Sequence, residues 1–109
     1  MLVVRIGERN MPKIFEYFGF VFFFYSNEHE PIHVHVMKGD TDIVFEIILE
    51  NGLLKDVRKR TGSRIPMNSK DSQMAEAFVS KYYKNIVDKW IKFFVLKKAV
   101  RSTKITKKI

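Results

Sequence analysis

The chain has 109 residues, no cysteine and a formal net charge of +8. This length is enough for one hydrophobic core but not for two. The absence of cysteine excludes a disulfide framework, a thiolate zinc site and a cysteine nucleophile. No apolar run approaches the roughly 18 residues of a membrane span, and residues 1–10 carry charges where a signal peptide needs an apolar stretch. We therefore expect a cytoplasmic protein with a single domain over residues 11–97.

Most of the net charge comes from one end of the sequence. Six basic residues and no acidic residue lie between positions 97 and 108, which leaves 14 basic and 12 acidic residues in the rest of the chain. A charge run of this kind is typical of a solvated end, so residues 98–109 are predicted to form a flexible basic tail. Residues 1–10 are interpreted as an N-terminal extension or as an edge strand.

Two segments in the first half have the residue pattern of β-strands. Residues 20–25 are aromatic or β-branched on both faces, which predicts a central strand. From Ile32 onward, apolar residues alternate with His33, His35 and Met37. Because side chains two apart on a strand share a face, the two imidazoles are predicted to lie on the same side of the sheet.

The next segments predict two more strands and a helix. Residues 41–50 alternate again, and Asn51-Gly52 is the dipeptide preferred in a type I′ hairpin turn, so residues 53–60 are expected to return as a fourth strand. Asn68 or Ser69 is predicted to cap a long helix. Apolar residues at spacings of three and four mark the buried face of that helix: Ala75, Phe78, Val79, Tyr82, Ile86, Trp90, Phe93 and Phe94.

These elements predict an α+β fold. The four strands are expected to form an antiparallel meander, and the long C-terminal helix is expected to cover one face of the sheet. The opposite face, which carries the two imidazoles, is then predicted to be partly exposed. An exposed face of this kind favours assembly, either as a homodimer or with a small cognate protein.

The histidines form one cluster that suggests chemistry. His33 and His35 are candidate ligands of a divalent cation, with His29 folding back from the preceding loop and Glu28 or Glu46 completing the set. The same pair are candidate catalytic residues of a small hydrolase or ribonuclease, with or without a metal. Two alternatives need no metal: the rings bind a partner or an anion, or they hydrogen-bond to neighbouring carboxylates and carbonyls as part of the structure.

A second group of candidate residues is basic. They follow the Asn-Gly turn with a single acidic residue among them: Lys55, Arg58, Lys59, Arg60 and Arg64. Such a patch predicts non-specific binding of nucleic acid through phosphate contacts. The alternative is a solvated edge strand, on which positive charges prevent edge-to-edge aggregation.

Several motifs resemble those of a known family. They are Met11-Pro12, the aromatic run and Tyr-Ser-Asn-Glu of residues 22–28, the Glu-Pro-Ile-His-Val-His-Val of residues 30–36, and Trp90 followed by Phe93 and Phe94. Together they resemble the small bacterial proteins of domain of unknown function family 4160. The resemblance implies a compact domain found near toxin-antitoxin-like gene pairs, hence a regulatory or protein-interaction role, and it draws attention to His33 and His35.

Overall fold

In a computed structural model, the chain is described over residues 11–26, 31–62 and 64–109. The predicted extension or edge strand at residues 1–10 and the loop residues around His29 lie outside these ranges. The described residues form seven strands: β1 Lys13–Tyr17, β2 Phe20–Phe23, β3 His33–Lys38, β4 Thr41–Glu50, β5 Leu53–Thr61, β6 Ile65–Pro66 and β7 Thr103–Ile105. The helices are α1 Ser69–Lys81, α2 Tyr83–Trp90 and a π-helical turn at Ile91–Val95.

The strands form one mixed sheet in the order β5-β4-β3-β2-β1-β7, with β6 paired beside β4. Strands β2 to β5 are antiparallel neighbours, which confirms the predicted meander. The Asn51-Gly52 turn has φ values of +54° and +79°, the conformation expected of a type I′ turn. The prediction of four antiparallel strands was wrong, because β1 extends the meander and β6 and β7 pair in parallel with β4 and β1.

The helices cover one face of the sheet. Asn68 caps α1 by accepting the Asp71 backbone N–H at 2.8 Å, as expected of an N-cap. The Phe78 ring of this helix stacks on Phe22 of β2, with centroids 4.3 Å apart, and meets the edge of Phe15 of β1 at 5.5 Å. All three side chains are buried, so aromatic packing holds the helix layer to the centre of the sheet.

The predicted long helix is divided at Tyr82. This residue has φ −102° and ψ 19°, outside the α-helical range, and it separates α1 from α2. Its ring packs on Phe78 at 4.6 Å and on Phe15 at 5.8 Å. The apolar spacing continues across the break, and the predicted stripe residues Ile86 and Trp90 are buried. One helix was therefore the wrong description, although the buried face was correctly predicted.

The C-terminal residues include a strand where a frayed end was expected. Strand β7 pairs in parallel with β1, with Phe15 opposite Thr103 and Tyr17 opposite Ile105. The Lys89 ammonium of α2 joins the two segments: it donates to the Ile14 carbonyl at 2.7 Å and to the Thr103 hydroxyl at 2.9 Å. Residues 103–105 thus form an edge strand of the sheet, although their basic, polar composition predicts a flexible tail.

None of the described helices is both long and apolar enough to cross a membrane.

Candidate functional site

The two histidines predicted to share a face do so. We call this surface the histidine face: Phe23, His33, His35, Val44 and Glu46, on the side of the sheet opposite the helices. The His33 and His35 ring centroids are 5.2 Å apart. The intervening Val34 belongs to the core beneath the helices, as strand alternation requires.

Aromatic rings pack around His35. Phe23, directly opposite on β2, stacks with the imidazole at a centroid distance of 5.5 Å. Tyr25 meets the ring edge at 4.4 Å. His33 and His35 are 6% and 8% exposed, so the two imidazoles themselves are buried on the face that was predicted to be partly exposed. An imidazole ring presents flat apolar surfaces, and these aromatic contacts bury it on a face that the helices do not cover.

Hydrogen bonding fixes the tautomer of His33. Its Nδ1 lies 2.6 Å from the Pro31 carbonyl oxygen. Because a carbonyl only accepts, Nδ1 carries the proton in the neutral ring and Nε2 is then the acceptor nitrogen.

Glu46 is the carboxylate that the fold places beside His33. The two residues are direct partners in the β3–β4 register. The next strand contributes two guanidinium groups: Arg58 is opposite Glu46, and Arg60 Nε lies 3.4 Å from a Glu46 carboxylate oxygen. Across three strands the sheet therefore aligns an imidazole, a carboxylate and two arginines, a set of groups suited to general acid–base chemistry beside a phosphate.

Metal binding stays a prediction. Within residues 11–26, 31–62 and 64–109, no group of three His, Asp or Glu side chains converges closely enough to hold an ion. The proposed third ligand, His29, lies outside these ranges.

The five basic candidates do not form one patch. In the β4–β5 register, Lys59 is opposite Phe45 on the helix side of the sheet, whereas Arg58 and Arg60 are opposite Glu46 and Val44 on the histidine face. Their side chains are exposed, as are those of Lys55 and Arg64.

Three of these basic residues have acidic partners. Lys55 lies 3.4 Å from Glu50, Lys59 lies 3.9 Å from Glu76, and Arg60 contacts Glu46. These contacts lower the local positive potential, and they fit the alternative of a charged edge strand. Nucleic-acid binding by the five residues stays a prediction.

The structure also shows a groove that sequence reasoning missed. We call it the α2 groove; it has a volume of about 220 Å³ and is lined by Leu49, Gly52, Tyr83, Lys84, Val87, Asp88 and Ile91. Tyr83, Val87 and Ile91 recur at intervals of four residues, and Val95 continues the series. This second stripe is present in the sequence, but the predicted apolar face of the helix includes only the more strongly aromatic stripe beside it.

Exposure increases along this second stripe. Tyr83 and Val87 are half-buried, whereas Ile91 is 41% and Val95 60% exposed. The chain continues in the π-helical turn, in which the Leu96 N–H donates to the Ile91 carbonyl five residues earlier at 3.0 Å, and Leu96 is exposed as well. Of these exposed apolar side chains, Ile91 lines the α2 groove, whereas Val95 and Leu96 lie beyond it in the chain.

Comparison with known proteins gives one match. The family model described as a domain of unknown function, DUF4160, matches residues 19–91, about two thirds of the chain, and confirms the resemblance seen in the sequence. No curated protein and no solved structure matches the chain. The matched segment contains the histidine face and the α2 groove, while β1, β7 and the whole basic end lie outside it.

Proposed function

Since the chain belongs to the DUF4160 family, a family without a defined activity, we propose its function from its own surfaces: it is a protein-interaction module that assembles as a homodimer through the α2 groove. The observation that carries this proposal is the apolar stripe beside the groove, in which Val87 is half-buried and Ile91 and Val95 are exposed. Burying such a stripe against an equivalent one removes apolar surface from water, which is the main driving force of association.

The charges that border the groove favour a second copy as the occupant. Lys84 and Asp88 line the same groove one helical turn apart. In a two-fold dimer with antiparallel α2 helices, Lys84 of each copy faces Asp88 of the other, while Tyr83 approaches Ile91 and Val87 approaches its own equivalent. The surface is therefore self-complementary in both charge and apolar character.

Analytical ultracentrifugation over a micromolar concentration series tests this proposal. The wild-type chain is expected to sediment as a reversible dimer, and Ile91→Asp is expected to weaken dimerisation at least tenfold because it places a carboxylate in each of the two apolar Tyr83–Ile91 contacts. Leu53→Asp, at an exposed apolar residue of the β4–β5 turn that does not line the groove, is the matched control.

A charge exchange makes the test specific. Lys84→Asp alone is expected to weaken the dimer because it places like charges opposite each other, and Asp88→Lys added to it is expected to restore wild-type affinity. The Asp88–Lys92 contact within the helix, at 3.3 Å, is exposed and contributes only a few tenths of a kcal/mol, so it does not obscure the result. A monomeric wild-type chain at every concentration would contradict the proposal.

The histidine face supports a second candidate function, general acid–base cleavage of RNA. The favouring observation is the alignment of His33, Glu46 and the two arginines across β3, β4 and β5. Burial of His33 makes it second to the interaction proposal, because substrate must reach Nε2. The test is cleavage of a fluorogenic RNA: Glu46→Gln is expected to abolish it, and Glu50→Gln, at an exposed carboxylate on the same strand, is expected to preserve it. Equal rates in the two variants would contradict catalysis at this face.

A further inference from the structure

The turn between β1 and β2 holds an aromatic residue in a conformation that suits asparagine or glycine. Tyr17 pairs with Phe20, so Phe18 and Gly19 are the central residues of a two-residue hairpin turn. Their φ values are +42° and +87°, and two positive φ angles in sequence define a type I′ turn. A phenylalanine at the first of these positions carries backbone strain, and its side chain is 51% exposed. Turn geometry therefore does not explain the choice of phenylalanine, and the ring is only partly packed, against Tyr17 and the Lys108 ammonium.

Phe18 borders a groove with an apolar floor. The groove has a volume of about 260 Å³ and is lined by Tyr17, Phe18, Phe20, Lys38, Lys70, Asp71, Met74 and Lys108. The Tyr17 hydroxyl lies 3.9 Å from the Met74 sulfur, and the Tyr17 ring supports Phe18 edge-on at 4.9 Å. The exposed ring is thus held in position at the entrance of a preformed apolar depression.

The rim of this groove is positively charged. Its one carboxylate, Asp71, is neutralised within the fold, because it lies 3.1 Å from Lys38 Nζ and accepts the Asn68 side-chain amide at 3.1 Å. Lys70 and Lys108 are exposed and supply the remaining charge. A ligand that complements this rim has an apolar group for the floor and negative charges on either side.

We propose that this groove docks a partner protein segment in which an aliphatic or aromatic side chain is flanked by Asp or Glu. Charge complementarity to Lys70 and Lys108 identifies the partner as acidic, and the exposed Phe18 provides the apolar anchor. Phe18 and Lys108 lie outside the segment that matches the family model, whereas Lys70 lies within it. This groove shares no lining residue with the α2 groove and is independent of the dimer.

Fluorescence anisotropy with a synthetic peptide tests the proposal. The probe is a fluorescein-labelled peptide with a central Leu-Ser-Ser-Phe flanked on both sides by Asp and Glu. Two control peptides are used: one is flanked by Lys, and the other has Ser at both apolar positions. The acidic apolar peptide is expected to bind the wild-type chain at least tenfold more tightly than either control peptide does. Its affinity is expected to fall as the salt concentration rises. Absence of binding, or equal binding of the Lys-flanked peptide, would overturn the proposal.

Substitutions locate the binding. Phe18→Asn is expected to reduce affinity at least tenfold while the thermal midpoint stays the same or rises, because asparagine tolerates the positive φ. Lys70→Glu is expected to weaken binding several-fold, and Lys98→Glu, at an exposed lysine that does not line this groove, is expected to leave it unchanged. Unaltered affinity in Phe18→Asn would overturn the proposal. Binding of an oligouridine that is weakened equally by Phe18→Asn would also overturn the proposal, because the groove would then be a nucleic-acid site.

Discussion

Replacing Lys89 with methionine tests how the C-terminal strand is held. The Lys89 ammonium donates to the Ile14 carbonyl at 2.7 Å, the Arg101 carbonyl at 2.8 Å and the Thr103 hydroxyl at 2.9 Å, and it lies 4.1 Å from the centre of the Phe15 ring. Methionine keeps an apolar stem of similar length but removes all four interactions. The substitution therefore isolates the polar contribution of one side chain to the attachment of β7.

The expected loss can be worked from these contacts. A hydrogen bond from a charged donor contributes about 1.5–3 kcal/mol, but two of the three bonds here are exposed and contribute less. Removal of the ammonium also recovers part of its desolvation cost. We expect the free energy of unfolding to fall by about 2 kcal/mol, which lowers the thermal midpoint of a domain of this size by about 8 °C.

Urea denaturation measures this loss, and hydrogen exchange localises it. Backbone amides of Thr103–Ile105 are expected to lose protection before those of β3 and β4. The control is Lys92→Met, which removes an exposed contact with Asp88 and is expected to cost less than about 0.5 kcal/mol. Equal stability of the two variants, or unchanged protection of β7, would refute the inference that Lys89 secures the strand.

Three further predictions concern stability. Asn68→Ala is expected to lower the free energy of unfolding by about 1 kcal/mol through loss of the α1 cap, with Ser69→Ala as a near-neutral control in the same urea titration. Gly62→Ala is expected to cost about 1–3 kcal/mol, because the new Cβ would overlap the Asp42 carboxylate; a stable variant would show that this carboxylate moves freely. Burial lowers the pKa of Lys89 from its usual 10.5, so the folded chain loses this proton at a lower pH than the unfolded chain does. Between the pKa values of the folded and unfolded states, the free energy of unfolding therefore rises with pH. Urea titrations are expected to show a smaller rise in Lys89→Met, and equal slopes would contradict the shift.

Local patterns were sufficient to predict the meander. The alternation around His33 and His35 fixes their shared face because strand geometry has a period of two, and Asn51-Gly52 fixes the following turn because of its positive φ angles. Each of these properties resides in a few consecutive residues. The same holds for the Asn68 cap, which depends on one side chain and a backbone N–H three residues later.

Features that depend on distant contacts were not predictable. Strand β7 is polar and short, and what places it is an ammonium on α2 rather than its own composition. Strand β1 is followed by the turn residues Phe18 and Gly19, which lack the asparagine that commonly precedes glycine in a type I′ hairpin turn. The burial of His35 depends on Phe23 and Tyr25, whose packing beside it follows from strand order. The α2 groove needs the β4–β5 turn on one side, which a helical pattern alone does not supply.

The parallel pairing of β7 with β1 has a consequence for the order in which the chain folds. Strands β1 to β5 are joined by neighbouring contacts along the sequence and can assemble from local encounters, whereas Phe15 and Thr103 meet across a closed loop that contains nearly every other element. During synthesis we therefore expect the edge of β1 that pairs with β7 to lack this partner until β7 has emerged from the ribosome. We expect the pairing of β7 with β1 to form late in folding, and the Lys89 ammonium then holds the two strands together.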